Sequence, residues 1–227
     1  MRGAGNDSTS DESVGAEPSA AYVRGMRTDP QFSDADLAYI RAEYRTLDDL
    51  CRARPEGPAD VRDLIGQRRL PRPTYVLVDG ATMFPPDYFA LLDHAGGPDA
   101  LPDYFGDRYA AAAQALGLPA DDVEDTWNGY LSGQFGVCLW AVTPEGMAKK
   151  AQLIQTIERL LSAPADRDAR WRAALRSSVD ALDDLERPFT DYDRQRWGEV
   201  SRDRYVAAVR RHYPGVFATS AQHTALS

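Results

Sequence analysis

What this chain of 227 residues lacks narrows its chemistry first. It has two cysteines, Cys51 and Cys138, and three histidines, His94, His212 and His223, none at metal-ligand spacing. That excludes a disulfide framework and a zinc site read from spacing, and no cofactor or metal is expected. No apolar run approaches the roughly 18 residues that a membrane span requires, and the N-terminus has no apolar signal core. A cytoplasmic setting without membrane association follows as the expectation. Lysine is nearly absent: Lys149 and Lys150 are the only two. No GxGxxG, Walker loop or nucleophile elbow occurs, so no reaction can be named from a motif. The formal charge of −9 argues against a general polyanion binder, because affinity for nucleic acid rests mainly on neutralising phosphates.

The remainder has an ordinary globular composition, with 43% hydrophobic and 27% charged residues. Residues 1–32 are rich in Gly, Ser and acids and read as a disordered tail. Order is expected to begin at Ser33, which forms a capping pair with Asp36 ahead of Leu37, Ile40 and Tyr44 at helical spacing. Thr46 caps a second short helix, with Cys51 on its Leu47/Leu50 face, and residues 60–65 form a third. Leu70-Pro71-Arg72-Pro73 cannot be helical. Tyr75 to Phe84 then reads as a β-hairpin, whose Asp79-Gly80 pair is expected to form a type I′ turn. A short helix follows Pro86, with Tyr88, Leu91 and Leu92 apolar.

Beyond residue 98 the pattern is helical. Leu101, Phe105 and Tyr109 share one face of a helix ended by Gly117, and Asp121-Asp122 lead a stripe of Val123, Trp127, Tyr130 and Leu131. Gly133 and Gly136 interrupt the chain before the apolar run from Val137 to Val142, read as strand or buried coil, with Trp140 in the core. Thr143-Pro144-Glu145 is the clearest helix start, and Met147, Ala151, Ile154, Ile157 and Leu161 make that helix amphipathic. Another helix follows Pro164, with Trp171, Leu175, Leu182 and Leu185 inward. Residues 187–200 read as a polar aromatic loop, His94 as loop-borne, and Ser201 as the cap of a last helix through His212.

Two sets of residues are candidates for binding. Arg62, Gln67, Arg68, Arg69 and Arg72 lie on or after the third helix, where four arginines stand against the one acid Asp63. They are DNA-contact candidates, or else a solvated face. The ligand-binding candidates are Cys138, Trp140, Asp191, Tyr192, Asp193 and Arg194. Cys138 has no histidine within forty residues, so a buried structural role competes with a nucleophilic one. The alternating carboxylates and arginines near Asp191 suit either a polar ligand or a salt-bridged loop.

The order helix, turn, helix, hairpin, carried by Thr46-Leu47, Leu50, Val61-Arg62, Leu64-Ile65 and Leu70-Pro71, resembles the MerR and excisionase type of winged helix. The segments LPRPTYVLVDG, YLSGQFGVCLWAVTPEGMAKK and LERPFTDYDRQRWGEVSRDR together resemble an uncharacterised bacterial family labelled natural-product biosynthesis proteins, over residues 36–214. That label names a setting and not a reaction, so it assigns no catalytic residue.

The expected fold is mainly α: a winged helix-turn-helix-like module with one β-hairpin over 33–95, packed on an α-helical domain over 98–215, then a frayed tail over 216–227. The expected function is a cytosolic accessory protein or enzyme of natural-product biosynthesis. It has a small-molecule pocket in the helical domain, with a small molecule or a biosynthetic protein as partner. The alternative is a ligand-responsive, MerR-like regulator that binds DNA through the N-terminal module.

Overall fold

The structure, a computed structural model, describes residues 31–119, 123–163 and 168–218. Residues 1–30 of the expected tail over 1–32, with Asp121, Asp122, Pro164 and His223, lie outside the described residues, while Phe32, inside that span, stacks on Tyr192. The chain is mainly helical, with one small antiparallel sheet.

Local chemistry decides most of the starts. Ser33 caps α1 (Asp34–Glu43) in a reciprocal box with Asp36, and Thr46 caps α2 (Leu47–Cys51) through Asp49 N–H. Between them runs β1 (Arg45–Thr46). The third helix, α3 (Pro58–Gly66), ends where Arg68 takes a left-handed φ of 58° and Arg69 N–H reaches back to Leu64 O. β2 (Tyr75–Val76) and β3 (Thr82–Phe84) form the hairpin, and β1 lies on the far side of β3, giving the order β1-β3-β2. The hairpin turn is not type I′. Only Gly80 has positive φ, Gly80 N–H bonds Leu77 O, and Leu77 N–H bonds Ala81 O. This is a three-residue loop with Gly80 at the bulge, and Asp79 instead accepts from Ala81 N–H.

The helical portion follows as α4 (Ala90–Ala95), α5 (Leu101–Leu116), α6 (Val123–Leu131), α7 (Phe135–Cys138), α8 (Pro144–Ser162) and α9 (Ala169–Leu185). His94 sits in the last turn of α4 rather than in a loop, its ring nitrogen against Ala90 O. Gly117 closes α5 at φ 69°, and Thr143 caps α8 through Gly146 N–H, both as the sequence dictates. Helix α8 packs on α5 and on α9.

Four expectations fail here for physical reasons. The run 137–142 begins as the helical turn α7, then makes a single bridge, Leu139 to Glu186, instead of a strand. Trp140 is 44% exposed, because the bridge turns Leu139 into the core and the next side chain outward. Residues 187–200 contain α10 (Asp191–Trp197), begun by a Thr190/Asp193 capping box. Ser201 is helical and caps nothing. Its hydroxyl donates to Glu186, and a π-helical segment (Arg202–Ala207) leads into α11 (Ala208–His212). A last turn, α12 (Pro214–Phe217), buries Val216.

One apolar core runs from Leu47, Val61, Leu70 and Phe84 through Leu101, Phe105 and Tyr130 to Leu139 and Met147. A second joins Leu153 and Ile157 of α8 to Leu175, Leu182, Tyr205 and Val209. A third sets Ile40, Tyr44, Tyr75 and Met83 against Val137. Gly133 and Gly136 lie directly against the 72–74 segment. A methyl on Gly133 would stand 2.5 Å from Arg72 O, and one on Gly136 would overlap Thr74 Oγ1. Only glycine lets the 72–74 segment lie so close, and Gly133 also has a φ of 81°.

Candidate functional site: a pocket at Cys138, Lys150 and Ser201

Three neighbouring elements bring a buried polar cluster together. The bridge between Leu139 and Glu186, with Arg187 N–H on Cys138 O at 3.0 Å, fixes Glu186 beside Cys138. Helix α8 carries Lys150 on its inner side, and Lys150 Nζ lies 2.8 Å from Glu186 Oε1. Ser201 donates its hydroxyl to the same carboxylate oxygen. Glu186 is fully buried and the Lys150 side chain 15% exposed, so the pair is little screened by water. The ammonium also reaches the Cys138 thiol and faces the Phe189 ring at 5.9 Å.

Electrostatics sort the protonation states. Burial disfavours the Lys150 ammonium, but its close neighbours, the Glu186 carboxylate among them, outweigh it and raise its pKa, so it stays charged. Burial pushes the Cys138 thiol up, with Lys150 opposing, so Cys138 rests as a thiol. Above this cluster lies a pocket of about 230 Å³, lined by Phe135, Cys138, Lys150, Phe189, Trp197 and Ser201 among others. The arrangement offers a ligand an ammonium donor, a hydroxyl and aromatic walls. Among the described residues no group of His, Cys, Asp or Glu is placed to hold a metal ion. No helix in the described residues is long and apolar enough to cross a membrane.

Of the sequence candidates, Cys138 lines this pocket; the other ligand candidates lie elsewhere. Trp140 packs its ring 4.5 Å from the Arg187 guanidinium, which also lies over Tyr44 and donates to Leu139 O. Asp193 is buried, accepting from Thr190 and from Tyr75 OH. Burial drives its pKa up against those hydrogen bonds. Asp191 is exposed and gives its backbone N–H to Asp36, Tyr192 stacks on Phe32 at 3.8 Å, and Arg194 pairs with Asp203. This segment locks α10 to α1 and to the sheet. Among the DNA-contact candidates, Arg62, Gln67 and Arg72 are exposed, whereas Arg68 bonds Asn128 and Arg69 bonds Asp99.

Lys150 is not singled out by the sequence, Ser201 reads only as a helix cap, and Glu186 only as the start of the polar segment that leads to Asp191. Lys150 carried a readable signal, since it stands in the apolar series Met147, Lys150, Ile154, Ile157 at helical spacing. A charge in such a stripe must be paired inside.

The fold and pocket define a mainly helical protein with a cavity lined from α7, α8, the end of α10 and the segment after it. Residues 101–214 match the model of a family of unknown function, DUF6058, and the chain belongs to that family. Every residue lining the pocket, from Gln134 to Ser201, falls inside the matched span. No curated protein and no solved structure matches the chain.

Proposed function

We propose that this protein is a cytosolic accessory protein or enzyme of natural-product biosynthesis that binds a small molecule in the pocket at Cys138, Lys150 and Ser201. The observation that carries the reading is the buried Lys150–Glu186 pair opening onto that pocket. Burying two charges costs several kcal/mol in desolvation, about as much as the pair returns, so fold stability alone does not account for it. Perturbed titratable groups beside an aromatic-walled cleft are the usual mark of a binding site. The biosynthetic setting rests on the resemblance of the 36–214 segment.

The uncharged dye N-phenyl-1-naphthylamine tests the pocket. Saturable binding to the native protein is expected, lost in Gln134→Trp, which fills the exposed rim. Absence of saturable binding, or binding indifferent to that variant, overturns the pocket reading. Deleting the gene in its host and comparing the secreted small molecules tests the setting; an unchanged profile retires it.

A second reading, a DNA-binding regulator with a winged helix-like module, has one specific support. The order α1-β1-α2-α3-β2-β3, with β1 beside β3, is compatible with the order of elements in a winged helix. Against it, Arg69 is paired with Asp99 and Arg68 bonds Asn128, both at the surface, so part of the basic set is already engaged. DNA from its own gene region should then bind at low salt, weaken steeply with added salt, and weaken further in Arg62→Ala. No binding at low salt ends this reading.

A further inference from the structure

The pocket does not stand alone. A groove of about 420 Å³ lies next to it, between the 72–76 segment and α10, and Gln134 and Trp197 line both cavities. The two are therefore parts of one elongated cleft, with Trp197 at the junction. Their charges differ in a way that orients a ligand. At the pocket end, Lys150 is matched by Glu186 and Glu199 adds a carboxylate, so that end carries no net positive charge. At the groove end stand Arg72 and Arg196, and no carboxylate lines that groove. Among the described residues neither guanidinium has an ion-pair partner. Arg196 stacks over the Trp197 ring at 4.5 Å. The sole carboxylate lining either cavity is Glu199, at the pocket.

The mounts of both arginines are fixed by the backbone. Arg72 N–H bonds Leu131 O at 2.9 Å, and Gly133 admits the 72–73 carbonyls at close range. Helix α10 is held through Thr190, Asp193 and Tyr75 OH. Two unneutralised guanidiniums in a groove of a protein carrying a formal charge of −9 are a local exception, and they match the planar oxygens of a carboxylate, sulfonate or phosphate.

We propose that pocket and groove form one site for an elongated organic anion. Its anionic end sits between Arg72 and Arg196, and its uncharged aromatic or acyl body runs past Trp197 toward Cys138 and Lys150. The inference rests on the small-molecule reading above and adds the chemical class and direction of the ligand.

A pair of dyes that differ by one sulfonate tests it: 8-anilinonaphthalene-1-sulfonate and N-phenyl-1-naphthylamine. The sulfonate dye should bind the native protein more tightly than the neutral one. Arg72→Ala/Arg196→Ala should weaken the sulfonate dye about tenfold or more, the loss of one or more charge-assisted contacts, and move the neutral dye less than about twofold. Arg72→Lys/Arg196→Lys should restore most of the difference, and circular dichroism checks that each variant is folded. Saturable binding of the neutral dye with a sulfonate affinity indifferent to both arginines overturns the anion site and leaves the pocket reading standing. Binding of neither dye to the native protein overturns both.

Discussion

Replacing Gly133 by alanine is the most direct way to probe the seam on which pocket and groove depend. The substitution has two separable costs. Gly133 has a φ of 81°, and holding an L-residue in the left-handed region costs about 1–2 kcal/mol. The new methyl would also lie 2.5 Å from Arg72 O and 3.1 Å from Pro73 O, backbone atoms that move only if the 72–74 segment moves. Overpacking of that kind costs about 1–3 kcal/mol, so the expected loss is about 2–5 kcal/mol in all. Gly80 supplies the control: its φ is 82°, yet a methyl there meets no atom within 4 Å. Gly80→Ala should therefore lose only the backbone part, about 1–2 kcal/mol. Urea unfolding of the two variants, with matched m-values, reads the difference. Equal losses would refute the claim that these glycines exist for close approach, and with it the placement of Arg72 at the groove.

Three further outcomes are expected. Lys150→Met strands the Glu186 carboxylate and should cost about 3–5 kcal/mol, most of it recovered in Lys150→Met/Glu186→Gln; a single-variant loss under about 1 kcal/mol by denaturant unfolding would mean the pair is screened by water. Asp193 has a raised pKa in the folded protein, so the folded state holds its proton more tightly than the unfolded chain does. Native stability relative to Asp193→Asn should then fall as pH rises from the usual 3.8 through the folded value and level off above it, and a rise over that window contradicts the assignment. Trp140→Ala removes a 44% exposed ring stacked on Arg187, so it should cost about 1 kcal/mol and not the 3–5 kcal/mol of a buried tryptophan; a loss above about 3 kcal/mol in thermal or chemical unfolding would place the indole inside.

What was legible in the sequence was local. Ser33, Thr46 and Thr143 announce their helices because a hydroxyl three residues ahead of a free N–H needs nothing from the rest of the chain. Gly117 closes α5 for the same kind of reason. Thr190 and Asp193 write the same capping sentence as Ser33 and Asp36, yet among so many charges they read as a loop of ion pairs. The candidate site was mostly illegible. Cys138 and Glu186 meet through a bridge between segments nearly fifty residues apart, and no local period encodes that pairing. Trp140 failed for a related reason: alternation along an extended segment turns neighbouring side chains to opposite faces, and composition alone does not say which face is inside. Lys150 was the exception that could have been read, a charge set in an apolar stripe.

Arg72 is where the two functional readings meet. It lies at the start of the hairpin, where a winged helix-like module would meet phosphate, and it also lines the groove proposed for the anionic end of a ligand. One guanidinium cannot satisfy both anions. A regulator built this way would release DNA when its ligand binds, because the two compete for the same side chain, and no long-range conformational change is required. An enzyme or accessory protein has no such conflict, and its Arg72 is free to orient substrate along the cleft toward Lys150. The surface contacts of Arg69 with Asp99 and of Arg68 with Asn128 favour the second case, since they occupy part of the basic set in an acidic chain.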